Sequence, residues 1–204
     1  MLLSIHPQNP DKHKIKLLIE ALRDGAVIIY PTDTIYGIGC DIYAQKAIEK
    51  ICKIKQIQTK NAQFSFICPD LSAISKYTKT ISTPTFRILK NILPGPYTCI
   101  LEASKEVPKI LKTKRDTVGI RVPDHPICQH IIEALGNPIV STSLPEIEDV
   151  DYLTDPEVIE EYYGHLVDFV VDGGIGQILA STVVDFTGGT PEVIRMGAGS
   201  FDFS

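Results

Sequence analysis

Between Lys14 and Tyr30 the sequence changes its period once, and that change constrains the fold class more than any other feature. Ile15, Leu18, Ile19 and Leu22 recur at helical spacing, so residues 14–23 predict an amphipathic helix. Gly25 ends it, as glycine does after a last helical turn. Ala26-Val-Ile-Ile-Tyr30 is then an unbroken run rich in β-branched residues, the pattern of a strand buried on both faces, and Pro31 stops it. The alternation continues along the chain. Helices are expected at 44–55, after Asp70 or Ser72, from Thr83 or Pro84 to Ile92, at 125–135 and at 156–163. Strands are expected at 64–68, 97–103, 118–122, 138–142, 167–171, 182–186 and 193–196, with an acidic irregular loop at 146–155. Mixed helices and strands predict an α/β protein built on a mixed sheet.

A chain of 204 residues suits one domain and can bury a core without disulfides or metals. It contains no run of about 20 apolar residues, and its first residues are too short for a secretory segment. A cytoplasmic protein without a membrane span is therefore expected. Cys40, Cys52, Cys68, Cys99 and Cys128 are irregularly spaced and odd in number, so reduced, buried thiols are expected. Charge is segregated. Residues 1–144 hold nineteen Lys/Arg against twelve Asp/Glu, whereas residues 145–204 hold Arg195 against thirteen acids. Facing an anionic ligand is one reading of the basic part; solvated helix faces are the other.

Five pieces carry possible chemistry. Pro31-Thr-Asp-Thr-Ile-Tyr-Gly-Ile-Gly39 follows a buried strand and precedes a helix. Thr32, Thr34 and the backbone there offer oxyanion donors, and Tyr36 would cover a small ligand; a plain turn fits as well. Lys50, Lys53, Lys55 and Lys60 would either clamp phosphate or complement a helix dipole. Arg121, on a strand with Val118, Ile120 and Val122, would fork onto a carboxylate or phosphate, or form a surface salt bridge. Ser141-Thr-Ser143 places three hydroxyls at an expected sheet edge. Ser181, Arg195, Gly197 and Gly199 form a last candidate anion contact. No histidine near the serines suggests a nucleophile.

Taken in order, these pieces resemble the YrdC/YciO family, the threonylcarbamoyl-AMP synthase superfamily, over about residues 14–199. The resemblance rests on Tyr30-Pro-Thr-Asp-Thr-Ile-Tyr-Gly-Ile-Gly39, Pro94-Gly-Pro-Tyr-Thr-Cys-Ile-Leu101 and Thr117-Val-Gly-Ile-Arg-Val-Pro123. Val140-Ser-Thr-Ser143, Ser181-Thr-Val-Val-Asp185 and Ile194-Arg-Met-Gly-Ala-Gly199 complete it. It implies a single α/β domain with a twisted mixed sheet, flanking helices and a positively charged concave surface. Family members with the full motif set condense L-threonine, bicarbonate and ATP, with Mg2+, into threonylcarbamoyl-AMP and pyrophosphate for tRNA modification. By position, the resemblance puts Thr32, Thr34, Tyr36, Arg121 and Ser181 on the threonine side. It puts Lys55, Thr117, Ser141, Ser143 and Arg195 on the nucleotide side.

Two positions depart from the synthase pattern. An arginine expected two residues after Lys55 is Ile57, and the expected Asn-x-Ser-Gly after Ser143 is replaced by Leu144-Pro-Glu-Ile-Glu148. Acids there would repel triphosphate oxygens. These departures resemble the YciO branch. Three functions stay open: a synthase or weak relative, a module binding tRNA or double-stranded RNA, and a nucleotide-binding protein of diverged specificity. A monomer or homodimer is expected.

Overall fold

The computed structural model of the chain describes residues 1–59, 62–111, 116–145 and 153–200. Its first helix, α1 (Lys12–Arg23), begins two residues before the expected start at Lys14 because Asp11 caps it, accepting from His13 N at 2.8 Å and Lys14 N. Ile15, Leu18, Ile19 and Leu22 are its buried residues, and Gly25 follows at φ +90°, a conformation glycine adopts without strain. The remaining helices are α2 (Gln45–Ile54), α3 (Leu71–Tyr77), α4 (Thr83–Ile92), α5 (Pro126–Leu135) and α6 (Pro156–Tyr163). Asp70 caps α3 through Ala73 N, and Ser82 caps α4.

Ten strands form one mixed sheet. They are β1 (Leu2–Ser4), β2 (Ile28–Tyr30), β3 (Gly37–Asp41), β4 (Ser65–Ile67) and β5 (Tyr97–Glu102), then β6 (Thr117–Arg121), β7 (Ile139–Ser143), β8 (Phe169–Asp172), β9 (Thr182–Asp185) and β10 (Glu192–Arg195). Their order is β1-β8-β2-β3-β7-β4-β6-β5-β9-β10. β2 and β3 pair antiparallel, β4 and β6 parallel, and β5 joins antiparallel β6 to parallel β9.

Two expectations change here. Residues 30–39 are not a strand-to-helix turn: Gly37–Asp41 returns as β3 beside β2, with Tyr30 opposite Gly37 and Ile28 opposite Gly39. A Cβ on Gly39 would stand 2.7 Å from both Ile139 Cγ2 and the Val140 carbonyl, so glycine is required by close approach rather than by a turn. Ser141-Thr-Ser143 is not at a sheet edge either. β7 lies mid-sheet between β3 and β4.

The two faces are covered unequally. On one, Ile29, Ile38, Cys40, Phe66, Val118, Ile120 and Val140 pack with residues of α2, α3, α4 and α6 in the main core. On the other, α1 and α5 bury Ile28, Tyr30, Ile67 and Ile139 in a second core. Beyond those two helices this second face carries small and polar residues. Ser65, Ile100, Thr117, Gly119 and Val183 are half-buried, and Ser143 and Arg195 are exposed. All five cysteines are free and buried. Burial pushes the Cys68 and Cys99 thiols up to about 12, so they stay neutral. Among the described residues no helix is long and apolar enough to cross a membrane.

Candidate functional site: a hydroxyl-lined sheet face bordered by Arg121

Alternation along the strands selects the side chains of the open face. In β6 it selects Thr117, Gly119 and Arg121 against the buried Val118 and Ile120. Register then brings Ser65 opposite Gly119 and Ser141, and Gly37 opposite Ser143. Glycine and serine keep this surface low. A Cβ on Gly119 would meet Ser65 Oγ at 3.3 Å and Thr98 Cγ2 at 3.5 Å. The result is a backbone-level floor with hydroxyl donors, where the chain allows close approach of a ligand.

Arg121 ends β6 at the border between the open face and the α1/α5 core. Its side chain is 11% exposed, so the salt bridge given as one of two readings of the sequence is a nearly buried pair and not a surface one. Nη2 donates to Asp33 Oδ1 at 2.8 Å and to Thr34 Oγ1 at 2.9 Å. Nε is buried and has no acceptor among the described residues. The other Asp33 oxygen accepts from Asp124 N at 3.2 Å. Asp33 was not singled out from the sequence. It lies between two threonines in a motif read for hydroxyls, and its partner is 88 residues away.

Thr32 and Thr34 are buried, and their hydroxyls work within the loop. Thr32 Oγ1 donates to the Ile35 carbonyl at 2.8 Å and accepts from Thr34 N at 3.1 Å. The Thr34 hydroxyl bonds Thr32 Oγ1 at 3.2 Å and accepts from Arg121. Tyr36 does not cover this face. It is 1% exposed in the main core on the side opposite Gly37, and its hydroxyl donates to the Gly174 carbonyl at 2.7 Å. Burial pushes that phenol up to about 12. Tyr36 therefore braces the segment after β8, where a Cβ on Gly176 would touch its ring at 2.8 Å.

Ser141 is also turned inward: it accepts from the Tyr30 hydroxyl at 2.8 Å and donates to the Ile38 carbonyl. Burial raises the Tyr30 phenol well above its ordinary value, so that hydroxyl remains a donor. Ser181 Oγ bonds Thr98 Oγ1 at 2.8 Å in a buried pair, and Arg195 Nη2 donates to the Ser181 carbonyl at 2.8 Å. Among the described residues Arg195 meets no carboxylate, although it stands in the acidic third of the chain. Thr98 is a second residue the sequence reading passed over; only its register, one position before Cys99, places it beside Ser181.

The three described lysines of the expected clamp, Lys50, Lys53 and Lys55, go to different places. Lys50 Nζ binds Asp168 at 3.0 Å, and Lys53 is exposed on the last turn of α2. Lys55 Nζ reaches the candidate face, donating to the Ser143 carbonyl at 2.7 Å and lying 3.3 Å from its hydroxyl. Ile57 is half-buried just past α2, where its N donates to the Cys52 carbonyl. Leu144 is buried and Pro145 accepts from the Tyr163 hydroxyl. Lys60, Lys112-Thr-Lys-Arg115 and the acids from Glu146 to Asp151 lie outside the described residues. Thr142 points to the opposite face from Ser141 and Ser143, so the serine run contributes two hydroxyls to this side rather than three.

A ten-stranded mixed sheet flanked by helices, with one half-open, hydroxyl-lined face and an arginine at its border, defines a mixed α/β protein with a candidate ligand face. The chain belongs to the Sua5/YciO/YrdC family (telomere recombination), which residues 20–197 match. It is 43% identical to the YciO protein of Escherichia coli K12 over 198 residues, covering 96% of this chain and 94% of that one. The crystal structure of E. coli YciO superposes with a TM-score of 0.91, covering 98% and 97% of the two chains at 42% identity. A threonylcarbamoyl-AMP synthase of Pyrococcus abyssi is 29% identical over 188 residues, 92% of this chain and 55% of that protein. The structure of P. abyssi Sua5 complexed with L-threonine matches at a TM-score of 0.87 and 26% identity, covering 97% of this chain and 57% of that one.

Proposed function

We propose that the open face binds an L-threonine-like amino acid and ATP and that the chain makes threonylcarbamoyl-AMP. The observation that carries this reading is Arg121, whose buried Nε lacks an acceptor beside a floor of Gly119, Ser65 and Gly37. A buried charged donor without a partner costs free energy that a ligand carboxylate recovers. Ser181 and Thr98 lie on the same side and would serve the amino-acid end, whereas Lys55, Ser143 and Thr117 would serve the nucleotide end. Arg195, bound to the Ser181 carbonyl, would stand near both. Thr32, Thr34, Tyr36 and Ser141 act behind these residues by holding Arg121, the loop and the sheet.

The chemistry asked of such a site is positioning and charge neutralisation. The threonine ammonium gives up a proton to solvent, and its nitrogen then bonds to the carbon of bicarbonate as water leaves. A carbamate oxygen then bonds to the α-phosphorus of ATP as the bond to the β-phosphate oxygen breaks and pyrophosphate departs. No side-chain nucleophile is needed. Magnesium enters as the counterion of the ATP phosphates, which hold it with water. Among the described residues no group of three His, Cys, Asp or Glu side chains is arranged to hold it.

Incubation with L-threonine, bicarbonate and Mg-ATP should release pyrophosphate only when threonine is present. No release above blank at high protein concentration would refute the reading. A second reading has its own observation: Ile57 stands where a phosphate-binding arginine is expected, so a pocket of diverged nucleotide specificity would bind threonine without tight ATP binding. Binding of tRNA or double-stranded RNA by the basic part of the chain would show as steeply salt-dependent affinity. A cytoplasmic location and participation in tRNA modification follow from the synthase reading.

A further inference from the structure

We infer that Asp33 is a positioning residue that makes the Arg121 site select singly charged carboxylates over dianions. The inference rests on the proposed reading of this site as a carboxylate site. Arg121 Nη2 has two hydrogens and two acceptors, Asp33 Oδ1 and Thr34 Oγ1. Neither acceptor is loose. Asp33 is 9% exposed, and its second oxygen is tied to Asp124 N. The Thr34 hydroxyl is 0% exposed and bonded to Thr32 Oγ1, which is itself bonded to the Ile35 carbonyl. A ligand therefore adds to the guanidinium at hydrogens that Asp33 and Thr34 do not use, instead of displacing what already holds it.

That arrangement sets the charge the site accepts. The guanidinium charge is already shared with Asp33, so a carboxylate arriving at its remaining hydrogens joins a pair that is neutral overall. A second negative charge on the same ligand meets the Asp33 carboxylate with its countercharge in use, and repulsion in a poorly solvated place is strong. Arg121 without Asp33 would be an ordinary phosphate fork. The same carboxylate suits the ammonium group of an amino acid, so Asp33 favours the zwitterion on both counts.

The test compares L-threonine with inorganic phosphate at pH 8, by calorimetric titration into the full-length wild type, Asp33→Asn and Asp33→Ser. The expected result is an inversion. Phosphate binds either neutral variant roughly tenfold or more tightly than wild type while L-threonine binds more weakly. The phosphate gain should vanish in Asp33→Asn/Arg121→Gln. A merely structural role for Asp33 weakens both ligands together, and that outcome, or unchanged phosphate binding, overturns the inference. If wild type binds no L-threonine yet the neutral variants gain phosphate, the threonine reading fails and the role of Asp33 stands. Should both variants fail to fold, the wild type still decides. Its Arg121 Nε–H resonance, identified by its absence from Arg121→Lys, should move on titration with acetate and stay fixed with phosphate. Equal movement with both anions contradicts the selection.

Discussion

The guanidinium of Arg121 spends one nitrogen on both Asp33 and Thr34 while its buried Nε meets no acceptor among the described residues. Removing one member of a nearly buried pair strands the other. Arg121→Met should therefore lose roughly 3–5 kcal/mol of stability in urea denaturation. Arg121→Met/Asp33→Asn should lose less, because no charge is left alone. A single variant as stable as wild type would contradict the pairing.

The Tyr30–Ser141 bond joins β2 to β7 across β3, beneath the candidate face. Ser141→Ala leaves the buried Tyr30 hydroxyl without its acceptor and should cost about 1–3 kcal/mol. Tyr30→Phe leaves Ser141 still donating to the Ile38 carbonyl and should cost about 1 kcal/mol. Guanidinium melts of the two variants check the order; the reverse order would show that the Tyr30 hydroxyl has another acceptor.

Much of this fold is legible in the sequence because its helices bury regular stripes. Ile15, Leu18, Ile19 and Leu22 in α1, and Ala47, Ile48, Ile51 and Cys52 in α2, are buried as their spacing predicts. β3 is not legible, because glycine at 37 and 39 imitates a turn when the real reason is crowding from Ile139, Val140 and Tyr30 on strands that only folding brings together. Leu2–Ser4 is too short to show a period, yet it pairs with β8 at the sheet edge. The site is legible in its motifs and hidden in its wiring. Arg121 is visible as an arginine on a strand; that Asp33 holds it, and that Thr34 faces it and not open space, depends on contacts across some 88 residues.

Two glycines should separate folding from binding. Gly39→Ala places a methyl 2.7 Å from Ile139 and from a backbone oxygen, so it should destabilise by about 1–3 kcal/mol or more. Gly119→Ala meets nothing closer than Ser65 Oγ at 3.3 Å and should change stability by less than about 1 kcal/mol. Because that methyl rises from the open floor, Gly119→Ala should nonetheless weaken ligand binding. Calorimetric melting and ligand titration of both variants provide the readout; unimpaired binding by Gly119→Ala would move the site elsewhere.

His125 precedes α5 with a buried Nδ1 that has no partner among the described residues. Burial lowers its pKa from the ordinary 6.5, against the opposing pull of Asp33 and Asp124. The folded state thus prefers neutral imidazole. Its contribution is complete above pH 6.5 and declines as pH falls through 6.5 toward the lower folded-state value. Urea denaturation at pH 7.5 and pH 5.5 should show wild type losing more stability over that interval than His125→Gln. Equal losses would remove His125 from the account.

The central claim is that Arg121 receives the carboxylate of an amino acid on the open sheet face. Calorimetric titration of L-threonine into wild type and Arg121→Lys tests it most directly, since lysine keeps the charge but lacks the Nε donor. The account predicts saturable binding to wild type and a loss of at least about tenfold in Arg121→Lys, with the folded state confirmed by circular dichroism. Equal affinity in the two proteins, or no binding to wild type at millimolar L-threonine, would contradict it.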